Sequence, residues 1–215
     1  MDEYTHPEPS RAVLLTIDTQ NDFTLPGAPA EIPETAEAVP QIQRLVNAFR
    51  SEDSPIIHVV RLYREDGSNA DLCRKRSIEE GEAVVQPGTQ GAELVENLKP
   101  TPEIRLDSAR LLDDEFQRVG SREWIMYKPR WSAFYRTDLS DFLDKLSVDT
   151  VVVCGCNFPN CPRATVYDAS ERDYRVVFVA DATSGTYERG IRELENIGVV
   201  VKNTDETVEW MSDAA

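Results

Sequence analysis

Residues 150–165 read TVVVCGCNFPNCPRAT. The first six are almost continuously apolar and β-branched, the pattern of a strand covered on both faces rather than one. A short loop follows. Pro162 then suits the first turn of a helix, where its missing N–H costs nothing. The helix is predicted over about 161–172. A fully buried strand leading through a loop into a helix is the repeating unit of a parallel α/β sheet.

The same rhythm recurs in both directions. AVLLTID (12–18), PIIHVVRLY (55–63), EWIMYK (123–128), RVVFVADA (175–182) and GVVVKN (198–203) read as further strands. Val39, Ile42, Leu45, Val46 and Phe49 form a helical stripe, as do Leu139, Phe142, Leu143 and Leu146 behind the capping candidates Thr137 and Asp138. A further helix is predicted over 187–196. The expected fold is α/β, a Rossmann-like three-layer αβα sandwich around a six-stranded, mainly parallel sheet. Residues 64–122 break the rhythm and read as an insertion, of a size to form a lid or an oligomer contact, with weaker helical segments near 91–98 and 107–118. No repeat or linker divides the chain. Residues 11–215 are read as one domain behind a disordered lead-in at 1–10.

Open parallel sheets collect functional groups beyond the carboxyl ends of their strands. Asp18 ends the first strand, and a carboxylate there is costly unless paired or used. A phosphatase of the haloacid-dehalogenase type needs a second aspartate two residues on, where this chain has Gln20. Lys128 ends EWIMYK and is one of only five lysines, so its placement carries weight against simple surface snorkelling. The two histidines, His6 and His58, leave a histidine-dependent triad or metal site with His58 alone, in mid-strand, where a satisfied core role is the default.

Three of the four cysteines fall within residues 154–161. Zinc is disfavoured, since there is no C-x-x-C pair and the fourth cysteine, Cys73, is distant. The missing C-x-x-C also argues against dithiol redox chemistry. Cys154 lies within the strand, where packing is the default. Cys161, ahead of Pro162, is placed at a helix N-cap, where free N–H groups and the dipole favour a thiolate and an oxyanion. A thiol at a helix start, near a carboxylate and an ammonium, suits acyl transfer.

At these residues the chain resembles the isochorismatase-like cysteine hydrolases, a group that includes nicotinamidases, N-carbamoylsarcosine amidase and ureidoacrylate hydrolase. IDTQNDF, KPRWSAFYRTDL and CGCNFPNC carry the likeness, in the family's order, over about residues 11–203. The resemblance implies a catalytic Asp18, Lys128 and Cys161, a cis peptide at Cys156–Asn157, and an oxyanion hole made by the Asn157 and Cys161 amides. Phe158 and Pro159 depart from the family pattern in that loop. Phe23, Trp131 and Phe158 are the expected pocket residues, although each also suits a core. The histidine ligands that metal-dependent nicotinamidases carry after the second strand are missing from RLYREDGSN, so no metal and no other cofactor is expected. The implied activity is cysteine-dependent hydrolysis of a small amide or ureido compound through an acyl-enzyme. The alternatives are vinyl-ether cleavage of the isochorismatase type and a non-catalytic homologue that only binds. A homo-oligomer is expected by resemblance.

The net charge is −16, from 39 acidic and 23 basic residues, with the acid spread along the chain. A basic face for nucleic acid is not expected, and no apolar run is long enough to span a membrane. MDEYTHPEPS lacks the basic start and apolar run of a signal peptide, so a cytoplasmic protein with reduced cysteines is expected. Dense acid suits either a salt-rich cytoplasm or an ordinary acidic protein. Thermal melts over a KCl series separate the two: a salt-adapted chain loses structure at low salt, and an ordinary one holds its melting temperature.

Overall fold

The computed structural model describes residues 3–212. Its strands are β1 (Ala12–Ile17), β2 (Ile56–Val60), β3 (Gln117–Arg118), β4 (Glu123–Tyr127), β5 (Thr150–Gly155), β6 (Arg175–Thr183) and β7 (Val200–Lys202). Its helices are α1 (Asn21–Thr24), α2 (Thr35–Ser51), α3 (Leu72–Glu79), α4 (Ser108–Leu112), α5 (Leu139–Lys145), α6 (Cys161–Ser170), α7 (Glu188–Glu195) and α8 (Thr204–Ser212). The strands form one sheet in the order β3-β4-β2-β1-β5-β6-β7, parallel throughout except for β3. The sheet therefore has seven strands, not six. The extra one is two polar residues on an edge, too short to leave a periodic signal.

Side-chain alternation along the strands feeds two cores. Val13, Leu15, Ile17, Val151 and Val153 face α5, α6 and α7 through Leu143, Val166 and Leu194. Leu14, Ile56, Val152 and Val177 face α2 and α8 through Ile42, Leu45, Phe49 and Met211. A third cluster joins Phe23 and Leu62 to the 64–122 segment through Ile78, Val85, Leu94 and Leu111. That segment is tied to the loop after β1. Gln20 Nε2 donates to the carbonyls of Arg61 (2.8 Å) and Ala92 (2.7 Å), and the Val85 N–H donates to Asp22 Oδ2 (2.6 Å). The IDTQNDF stretch thus anchors the insertion through Gln20 and Asp22. The helices expected near 91–98 and 107–118 are two single 3-10 turns and the short α4.

The expected disordered lead-in is corrected from residue 3 onward; residues 1–2 lie outside the described residues. Pro7 is buried, and the Glu8 N–H donates to Thr150 Oγ1 (3.0 Å), which docks the segment on the start of β5. No helix among the described residues is long and apolar enough to cross a membrane.

The crossing from β1 to β5 carries a strict steric demand. Gly155 has φ +118°, and a Cβ there would lie 2.3 Å from the Ile17 carbonyl oxygen. Only glycine lets the two strand ends close together.

On the other side of β1, His58 is fully buried and bridges Thr16 Oγ1 and Glu123 Oε1, each at 2.8 Å. Arg50 holds both oxygens of Glu123, at 2.9 and 2.7 Å. Burial pushes the Glu123 carboxyl up, but the hydrogen bonds from Arg50 and His58 outweigh it and hold the group at about 2. A carboxyl depressed on folding stabilises above its unfolded value and loses that contribution as pH falls through its folded one. Glu123→Gln is therefore expected to lower stability near neutral pH by on the order of 1–3 kcal/mol. In urea melts, the gap from the parent should close as pH falls from about 4.5 toward about 2. A gap independent of pH contradicts the ion-pair account.

Candidate active site

The strand order reverses direction at β1, whose neighbours β2 and β5 lead to opposite halves of the sheet. A crevice at the carboxyl ends forms at such a point. Backbone bonds fix its rim. The Asp18 N–H donates to Val59 O (2.9 Å), the Lys128 N–H to Val60 O (3.0 Å), and the Cys156 N–H to Ile17 O (2.8 Å). Asp18 has φ +51°, which turns the chain out of β1 directly at the carboxylate.

The three expected residues meet here. Lys128 is completely buried and Asp18 nearly so. Lys128 Nζ lies 2.8 Å from Asp18 Oδ2 and donates to Cys161 Sγ (3.3 Å) and Arg130 O (3.2 Å). All three donors of the ammonium are thus used. Asp18 Oδ1 is buried without a hydrogen-bond partner of ordinary geometry among the described residues. It is the acceptor left at the site. Burial pushes the Cys161 thiol up to about 12; the negative charge of Asp18 adds to the rise and Lys128 opposes it. These influences favour the thiol form of Cys161 beside the carboxylate, which gives its proton a short route to Asp18.

Cys161 is the first residue of α6, and Asn160 occupies the N-cap position without a side-chain cap. This shifts the helix start by one residue from the expected Cys161 N-cap. The consequence for chemistry is unchanged, because first-turn N–H groups have no helical partner. Neither the Cys161 nor the Asn157 N–H donates to an acceptor among the described residues, whereas the neighbouring Cys156, Phe158 and Asn160 N–H groups all do. The Cys156–Asn157 peptide is cis. Two unspent donors therefore flank the thiol.

A cavity of about 340 Å³ opens onto this cluster, within the range of small-ligand pockets. Asp18, Asn157 and Cys161 line it, as do Phe23 and Trp131. Phe158 does not, and its expected pocket role is corrected. Its N–H donates to Ser184 O (2.8 Å), and its ring is fully buried against Phe178 and Tyr187. Gly190 makes room for it: a Cβ there would lie 2.2 Å from the ring. A glycine inside the helical pattern TYERGIRELE was the available signal for a close neighbour. Cys154 is fully buried, and burial raises its thiol; burial raises Cys156 to about 12.

Sequence reasoning missed the opposite wall, made by Arg61, Tyr63, Asp71 and Arg74. Arg61 and Asp71 are both buried and paired at 2.6 Å. Arg61 Nη1 also donates to the Lys128 carbonyl (2.6 Å), which ties this wall to the ammonium. Arg61 directly follows an apolar strand, the same signal that exposed Asp18 and Lys128. Reading that strand through Tyr63 hid it, since β2 stops at Val60. Among the described residues no three His, Cys, Asp or Glu side chains gather as metal ligands.

A family model described as the isochorismatase domain matches residues 12–206. Among curated proteins, the chain is 34% identical to a "Probable inactive nicotinamidase" of Arabidopsis thaliana, over 94% of this chain and 95% of that one. It is 26% identical to N-carbamoylsarcosine amidase of an Arthrobacter species, over 94% and 72%. Among solved structures, an isochorismatase family protein from Desulfovibrio vulgaris superposes with a TM-score of 0.80 at 35% identity, covering 94% of this chain and 98% of that one.

The thiol environment can be read by labelling. In a Cys73→Ser background, which removes the exposed thiol, the iodoacetamide rate at Cys161 should still be rising at about pH 10. Asp18→Asn should move that profile to lower pH. A plateau near pH 8 that Asp18→Asn leaves in place contradicts the assignment.

Proposed function

The chain belongs to the isochorismatase family, and on that premise we propose that it is a cysteine-dependent hydrolase of a small amide or ureido compound. The observation that carries this reading is Lys128 Nζ bridging Asp18 and Cys161 beside two unspent backbone donors in a small cavity. A substrate carbonyl placed against the Asn157 and Cys161 N–H groups is polarised toward the thiol. Asp18 Oδ1 takes the thiol proton as sulfur attacks carbon, and the two N–H groups hold the oxyanion. Collapse breaks the C–N bond, and the amine leaves with the proton from Asp18. Water then attacks the thioester, gives its proton to Asp18, and releases the acid; the proton returns to sulfur. Lys128 keeps the carboxylate and the sulfur together throughout and offsets negative charge as it moves between them.

The name of the Arabidopsis thaliana relative supports a competing reading, a non-catalytic homologue that only binds. Assays on a panel of small amides and ureido compounds separate the two. The parent protein should turn over at least one of them. Cys161→Ala should lose that activity by at least about a thousandfold while still folding. Turnover that survives in Cys161→Ala rules out the covalent route, and an inert parent favours the binding protein.

A further inference from the structure

Among the described residues six buried side-chain polar atoms have no hydrogen-bond partner, and two of them belong to residues lining the cavity: Asp18 Oδ1 and Asp71 Oδ1. The first is the proton acceptor of the proposed chemistry. The second has no part in it. Asp71 is 8% exposed, and its Oδ2 already accepts from Arg61 Nη2 (2.6 Å) and Tyr63 Oη (2.8 Å). Arg130 Nε lies 3.8 Å from its Oδ1, outside hydrogen-bond reach. Asp71 also precedes α3 in the N-cap position, where an aspartate ordinarily accepts from its own helix, yet its side chain makes no such bond. The carboxylate is turned away from its helix and fixed from one side by a buried guanidinium and a buried phenol. Burial and Asp71 push the Tyr63 hydroxyl up, Arg61 opposes them, and the group remains a donor. One oxygen of a buried carboxylate, on a residue that lines the cavity, is left unmet, and an unmet acceptor of this kind is costly unless something donates to it.

We infer that Asp71 is a specificity-determining residue that accepts a hydrogen bond from a second nitrogen-borne N–H of the substrate, beyond the carbonyl that Cys161 attacks. This deepens the proposed amidohydrolase reading and rests on it. It narrows the substrate class to compounds with a further amide, ureido or amine N–H. It disfavours simple carboxamides whose remaining polar atoms are only acceptors.

Binding tests the inference apart from turnover. The Cys161→Ala protein is titrated calorimetrically with two matched pairs. N-acetylglycinamide is compared with N-acetylsarcosinamide, and malonamide with N,N-dimethylmalonamide. Each pair keeps one primary amide and differs in the second N–H. A hydrogen bond to a charged acceptor corresponds to roughly ten- to a hundredfold in affinity. The donor-bearing member of at least one pair is expected to bind tighter by that factor. In Asp71→Asn, Arg61 and Tyr63 still require an oxygen at the Oδ2 position, so the free atom becomes an NH₂ donor. The preference should then vanish or invert. Equal affinity within both pairs, binding by none of the four, or an equal loss for both members in Asp71→Asn overturns the inference. If Asp71→Asn does not fold, the paired titrations of the Cys161→Ala protein decide alone. Discrimination with no turnover in the parent would leave Asp71 assigned and remove the hydrolase reading; turnover without discrimination would do the reverse.

Discussion

The structure turns on one buried ammonium. Lys128 has no exposed surface, and a charge taken out of water is tolerable only when its hydrogen-bonding capacity is met. Three acceptors meet it: a carboxylate oxygen of Asp18, the sulfur of Cys161 and the carbonyl of Arg130. These come from the end of β1, the start of α6 and the turn after β4. They converge only because β4, β2, β1 and β5 are neighbours with aligned carboxyl ends. Gly155 allows the last of these approaches, and the Arg61 guanidinium on the Lys128 carbonyl braces the far side. Charge satisfaction and sheet order are one constraint, and the arrangement that satisfies it also presents a thiol to a cavity.

Much of this was legible in the chain because it rests on local signals. Continuous apolar runs marked the six longer strands, and a charge directly after such a run marked Asp18 and Lys128. Pro162 marked the helix start that holds Cys161. What was not legible depends on contacts distant in sequence. Phe158 sits in a loop quoted as part of the site, but its ring fills a notch beside Gly190 on another helix. Asp71 lies in a polar stretch with no period, and its meaning appears only once β2 delivers Arg61 and Tyr63 to it. The antiparallel edge strand Gln117–Arg118 is too short and too polar to announce itself.

The first acidic motif has a second task that its sequence does not advertise. Asp18 enters the site, while Gln20 and Asp22 leave it and bind the backbone of the 64–122 segment. The loop that carries the carboxylate therefore also sets the position of the cavity's far wall. In a chain of net charge −16, that wall brings Arg61 and Arg74 to the cavity beside Asp71, and Arg130 joins them from the turn after β4. The local polarity of the pocket runs against the acidic average of the whole protein, so bulk charge is a poor guide to what the pocket receives.

The proposed chemistry requires Cys161 to become acylated. Intact-protein mass spectrometry after rapid acid quench, on protein mixed with small amides and ureido compounds, reads this directly. The expected result is an added mass equal to the acyl portion of a substrate less one hydrogen, mapped to Cys161 by peptide digestion and missing from Cys161→Ala. Acid product formed with no adduct at any quench time, or an adduct mapped to another residue, would contradict it.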